Sequence, residues 1–159
     1  MKDRPPRPAA DNDWAAAHVD RLLDSHARLT GRPLWVGPQT GVERARAVFE
    51  APFALLSHGL EDDPLFNYGN RTALELFELA WDDFVRTPSR ASAETAKQAA
   101  REAFMRGVRE HGYVDGYAGV RISASGRRFV IEDTTVWNVV TADGVFHGQA
   151  ASFAHWRDC

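Results

Sequence analysis

The residues with the most chemical content lie in the run Phe129-Val130-Ile131-Glu132-Asp133-Thr134-Thr135-Val136-Trp137-Asn138-Val139. If this run is a strand, period-two alternation sets Phe129, Ile131, Asp133, Thr135, Trp137 and Val139 on one face. Phe129, Ile131, Trp137 and Val139 are apolar, so that face is expected to point to the core, and it carries a carboxylate and a hydroxyl. A carboxylate there costs several kcal/mol unless it is paired or hydrogen-bonded. In one reading Asp133 is partnered by Arg121 or a backbone amide, or a bulge turns it outward. In the other, Asp133 and Thr135 are the few polar anchors of an apolar pocket. An Asp in such a cavity can also act as a general acid or base, the chemistry of a small cone-shaped α+β enzyme.

The other candidates are weaker. Tyr68, Phe77, Trp81 and Trp137 could line a cavity or simply fill a core. His58 precedes the acidic turn Glu61-Asp62-Asp63 and is either a structural histidine or a pocket donor. Ser57-His58 with Asp62 does not make a triad, because adjacent strand residues do not supply that geometry. His147 and His155 would be roughly 26 Å apart on one strand, and His18 and His26 about 12 Å apart on one helix, too far for shared metal ligation. There is no glycine-rich phosphate loop, metal-spaced Cys/His cluster or nucleophile elbow.

The elements that must position these residues fall into two parts. Met1 to Asn12 reads as a loose tail, and residues 13–51 as a helical segment. Trp14, His18, Leu22, Ser25 and Leu29 form one helical stripe beginning at Asp13, a candidate N-cap, and ending at Gly31 and Pro33. Thr40-Gly41-Val42-Glu43 has capping-box spacing and opens a second helix reaching about Glu50. Residues 52–157 then read as two strands, helices, and three hairpin-linked strands. Phe53 to His58 and Leu65 to Gly69 are the first two. Asn70 sits where the second strand meets a helix, and its side chain can accept from a free N–H of the first helical turn. That helix runs from Arg71 to about Leu79, with a further turn over Trp81–Val85. Ala93 to Glu110 is a long helix with Glu94 in its first turn. Ala96, Ala99, Ala100, Ala103, Phe104 and Val108 form its buried side. Tyr113–Ser123, Arg127–Val140 and Val145–Trp156 are the last three strands. Strands bunched around a helical middle indicate α+β with a five-stranded antiparallel sheet.

Composition narrows the class. The chain has 159 residues, 44% hydrophobic and 26% charged, with a net charge of −3. That balance fits a globular domain and gives no nucleic-acid footprint. No run reaches the roughly 18–20 apolar residues of a membrane span, and the Pro- and Arg-rich start is not a secretory signal. The single cysteine, Cys159, excludes an internal disulfide, and the expected location is the cytoplasm.

The segment Phe66 to Phe84 resembles the PAS pattern, an apolar strand ending at Asn and entering a helix rich in Ala, Leu and Phe. More narrowly, the chain resembles the MEKHLA domain, a PAS-like family of bacterial proteins and of plant class III homeodomain–leucine zipper proteins. The motifs are Leu56-Ser57-His58-Gly59, Phe66-Asn67-Tyr68-Gly69-Asn70, Pro88-Ser89-Arg90, Gly119 to Phe129, Val136-Trp137-Asn138-Val139 and Gly148-Gln149-Ala150-Ala151. They span roughly Arg46 to Trp156; the string Met-Glu-Lys-His-Leu-Ala is absent. The resemblance implies a cavity between sheet and helices. Some PAS domains hold haem, flavin or a metabolite there, and others only mediate association. In haem-binding PAS domains the ligand histidine lies on the long helix, where this chain offers only the terminal His111. A cysteine–flavin adduct would need a thiol in the core, and Cys159 is at the chain end. No cofactor is therefore named. The expectation is a non-enzymatic sensory module binding a small apolar or amphipathic molecule. His58, Tyr68, Asn70, Phe77, Trp81, Asp133, Thr135 and Trp137 are its candidate ligand contacts. The stripe from Trp14 to Leu29 is expected to pair with a second copy or a partner protein.

Overall fold

The computed structural model describes residues 4–37, 41–93 and 98–159. Thr40, Glu94 and Ala96, and the side chains of Ala99 and Ala100, all used in the expectations above, lie outside what is described. A 3-10 segment Ala10–Ala15 leads into α1 (Ala16–Thr30), followed by α2 (Gly41–Phe49), β1 (Ala54–His58) and β2 (Phe66–Gly69). Next come α3 (Arg71–Phe77), α4 (Trp81–Phe84), a 3-10 turn Ser89–Ser92 and α5 (Gln98–His111). The chain closes with β3 (Tyr113–Ile122), β4 (Arg128–Val140), β5 (Phe146–Phe153) and β6 (His155–Asp158). Asp13 is not the helix cap: it, Trp14 and Ala15 form a left-handed turn, φ 56° at each, and α1 begins after them. The Trp14 ring is held against Phe49 and beneath Arg46. Asn70 does cap α3, accepting from the Ala73 N–H, and left-handed Gly31 and Gly112 end α1 and α5.

All strand pairs are antiparallel, in the order β2-β1-β5-β4-β3, with β6 also on β4. β6 is β5 carried past a bend at Ala154. Thr135 pairs with Ser152 and Glu132 with His155, so both strands advance three residues across the break and keep register. The expected fifth strand is thus present as two collinear pieces.

Two compensating bulges shape β3 and β4. Val114 faces Val136 and Tyr117 faces Thr134, so β3 carries an extra residue near Gly116, whose φ is 66°. Gly119 then faces Ile131, so β4 carries an extra residue near Asp133, whose φ is 50°. Each bulge reverses the alternation of its strand. Phe129, Ile131, Thr134 and Val136 consequently share one face, and Thr135, Trp137 and Val139 the other.

The sheet is covered on both sides. α3 and α5 lie on the inner face, Phe77 meeting Phe129 at 5.4 Å and Phe104 meeting Tyr117 at 4.6 Å. Val108 is buried there, whereas Ala103, expected on the buried side of α5, is exposed. α1 lies on the outer face, where Trp137 Nε1 donates to the Leu22 carbonyl at 3.1 Å. Ser25 locks the end of α1 to β4, donating to Val140 O at 2.6 Å and accepting from Val140 N at 2.9 Å. Val19, Leu22 and Leu23 are at most 4% exposed. The apolar stripe of α1 is therefore satisfied by the sheet of its own chain.

Candidate functional site

Register lays three rows of side chains across the inner face. Leu56, Ala151, Val136 and Val114 form an apolar row over β1, β5, β4 and β3. His58, Gln149 and Asn138 form a polar row on one side of it. Beyond the other side lie Ala54 with Phe153, and Thr134 with Tyr117. Val114, Ala151, Gln149 and Asn138 are only half-buried, although they stand on the face that α3–α5 cover. Accessible apolar surface at the centre of a covered face, bounded by hydrogen-bonding groups, is the makeup of a small-molecule site.

The polar groups have defined roles. Gln149 Nε2 donates to Asn138 Oδ1 at 3.2 Å, and Asn138 Nδ2 reaches the Val108 carbonyl at 3.5 Å. His58 Nδ1 donates to the Gly59 carbonyl at 3.2 Å, which leaves Nε2 for another partner. Thr134 is fully buried, and its hydroxyl has no hydrogen-bond partner. An unmet buried hydroxyl costs about 1–3 kcal/mol, a penalty that a bound acceptor or donor removes.

The candidates expected from the sequence do not converge. His58 and Phe77 are on the inner side. Asp133 is exposed in its bulge, so it neither shares a face with Phe129 and Ile131 nor lies in an apolar cavity. Thr135 is on the outer side and donates to Asp115 Oδ1 at 2.7 Å. Burial pushes the Asp115 carboxyl up, but that hydroxyl and Arg32, at 2.9 Å, together hold it below its usual range. Trp137 is buried under α1, edge-on to His26 at 4.9 Å. Asn70 is fully buried, and its side chain is used within the fold. His111 is exposed at the end of α5, 4.0 Å from Glu110.

Tyr68 and Trp81 lie together but away from the inner rows. Tyr68 pairs with Ser57 across β1 and β2 and touches the His18 ring of α1, so it faces outward. A polar chain runs behind it: His18 Nε2 lies 3.0 Å from Ser57 Oγ, which donates to Asn67 Oδ1 at 2.5 Å. Because the serine proton points to Asn67, His18 must donate to Ser57. That is the reverse of what a base activating a nucleophile requires. Burial, with Arg21 and His147 adding repulsion, pushes the His18 pKa down to about 4.

The sequence reading missed Thr134, Asn138, Gln149 and His18. The polar interruption Glu132-Asp133-Thr134-Thr135 inside an apolar strand was the signal of a bulge, since Asp tolerates positive φ better than most residues. Among the described residues no group of three or more His, Cys, Asp or Glu side chains could hold a metal, and no helix is long and apolar enough to cross a membrane.

The family model of the MEKHLA domain matches residues 16–158. No curated protein matches the chain. Among solved structures, the PAS domain of a protein from Colwellia psychrerythraea superposes with a TM-score of 0.59 at 14% identity, over 74% of this chain and 94% of that one. A fungal LOV domain photoreceptor superposes with a TM-score of 0.58 at 16% identity, over 94% and 98%. The light-state dimer of the fungal blue-light photoreceptor Vivid gives a TM-score of 0.54 at 16% identity, over 87% and 93%. These likenesses are of fold.

Proposed function

We propose that this chain, which belongs to the MEKHLA domain family and has the PAS fold, is a non-enzymatic sensory module. Its inner sheet face binds a small apolar or amphipathic molecule. The observation that carries the reading is the inner face itself: the apolar row Leu56–Ala151–Val136–Val114, half-buried at Ala151 and Val114, with the Gln149–Asn138 amide pair on one side and the partnerless Thr134 hydroxyl on the other. A molecule with an apolar body and one polar end would cover the row and satisfy Thr134. An enzyme built on Asp133 is disfavoured because that carboxylate lies outside the inner face. Since the apolar stripe of α1 is already buried, output to a second copy or a partner protein would use another surface.

Native mass spectrometry and an absorbance spectrum of freshly purified protein test the proposal. A non-covalent adduct or chromophore is expected. Thr134→Val should lose the adduct while keeping the fold, because the hydroxyl has no protein partner to forfeit. Val136→Trp, which fills the centre of the row, should also displace it. Unliganded wild type, or an adduct retained by both variants, would overturn the reading.

A further inference from the structure

We infer that a second binding site lies under Pro5 and Pro6, on the Tyr68 side of the sheet, and takes a small, planar, uncharged aromatic molecule with a hydrogen-bond acceptor. The hollow has a volume of about 250 Å3, walled by His18, Tyr68 and Trp81 with Asn67 at its base. That volume is somewhat below the roughly 300–1,000 Å3 of drug-sized pockets, so it suits a single substituted ring. Three aromatic walls favour a flat guest: the Tyr68 ring is 5.8 Å from His18 and 6.3 Å, edge-on, from Trp81.

The polar groups specify the rest. Tyr68 is 1% exposed and its hydroxyl has no partner. Burial pushes its pKa further up, so it is a neutral phenol with a proton to donate. His18 is held neutral by the same burial. The Asn67 carbonyl and the Ser57 hydroxyl are already engaged with each other. A charged guest would find no counter-ion among the pocket's walls and base, whereas a neutral acceptor would satisfy Tyr68.

The lid is anchored and separable. Arg4 donates to the carbonyls of Val85 at 2.7 Å and Phe66 at 2.8 Å, and Trp81 Nε1 donates to the Pro5 carbonyl at 2.8 Å. Pro5 and Pro6 have no N–H to satisfy and are conformationally stiff, so lifting them breaks these anchors and the Arg4–Glu61 ion pair at 3.4 Å. This site is independent of the inner-face reading, because none of its lining residues belongs to the inner-face rows.

Titration of the full, isotope-labelled chain with benzamide, followed by NMR, tests the inference. Saturable shifts are expected at Ala15, His18, Asn67 and the Trp81 indole. Tyr68→Phe should weaken benzamide about tenfold without lowering the melting temperature, as the loss of one neutral hydrogen bond in a desolvated site implies. Arg4→Ala should leave the Kd within about twofold and speed exchange, because the anchor acts on the lid and not on the guest. Shifts confined to Thr134 and Val136, no saturable shift at all, equal affinity in Tyr68→Phe, or unchanged exchange in Arg4→Ala would overturn the inference.

Discussion

The Asn70 amide makes four hydrogen bonds. Oδ1 accepts from the Leu55 and Ala73 N–H groups, both at 3.1 Å, while Nδ2 donates to the Val48 and Phe53 carbonyls at 3.0 and 2.8 Å. One side chain thus ties α2, the entry to β1 and the start of α3 together. Asn70→Asp keeps the acceptors but sets an oxygen against two carbonyls and buries a charge. It should cost about 3–5 kcal/mol in urea denaturation, at least as much as Asn70→Ala. A residue whose main task was ligand contact would instead lose ligand with an unchanged denaturation midpoint. His18 gives a pH signature. Its folded pKa, about 4, is below the unfolded value of 6.5, so the unfolded chain binds more protons between them. Its contribution is therefore complete above pH 6.5 and is lost as pH falls towards 4, amounting to about 2 kcal/mol after allowance for partial hydration. His18→Gln should flatten that part of the stability–pH curve, and a wild-type curve already flat between pH 4 and 6.5 would refute the assignment.

At the scale of the elements, the paired bulges decide which side chains meet. Asp133 occupies a positive φ that costs an ordinary residue about 1 kcal/mol and a β-branched one more. Asp133→Gly should therefore be neutral or stabilise by up to about 1 kcal/mol, while Asp133→Val should destabilise by about 1–2 kcal/mol. An inward-facing carboxylate would give the opposite order, since valine would relieve a buried charge. Thermal melts of the two variants separate the cases. The same bulge explains what the sequence could show. The strand limits, the Asn70 cap and the stop at Gly31 depend on neighbours in sequence, and they were legible. The reversal at Asp133 depends on β3 inserting its own extra residue at Gly116, a match between strands that no single window contains. Strict alternation therefore exchanged the faces, placing Thr135 and Trp137 inside and hiding Thr134 and Asn138. His58 and Phe77, outside the bulged strand, fell on the expected side.

At the scale of the molecule, the sheet is the middle of three layers, with α1 and α2 on one side and α3–α5 on the other. The sequence showed that the stripe Trp14–Leu29 needed a cover. It could not show which surface supplies it, because the outer face exists only once the bulge has turned Trp137 and Val139 towards α1. With Leu22 fully buried and its carbonyl accepting from Trp137, α1 is part of the core of one chain. Leu22→Ala should then destabilise by about 3 kcal/mol through the cavity it leaves. The loss should be the same at every protein concentration, because a contact within one chain carries no mass-action term. Were the stripe instead shared with a second copy, the melting temperature of the wild type would rise with concentration, and Leu22→Ala would shift sedimentation towards monomer before it lowered the melting temperature. Melts over a hundredfold range of concentration (roughly 1 to 100 μM, spanning the micromolar to tens-of-micromolar Kd of a weak association) with parallel sedimentation distinguish the two.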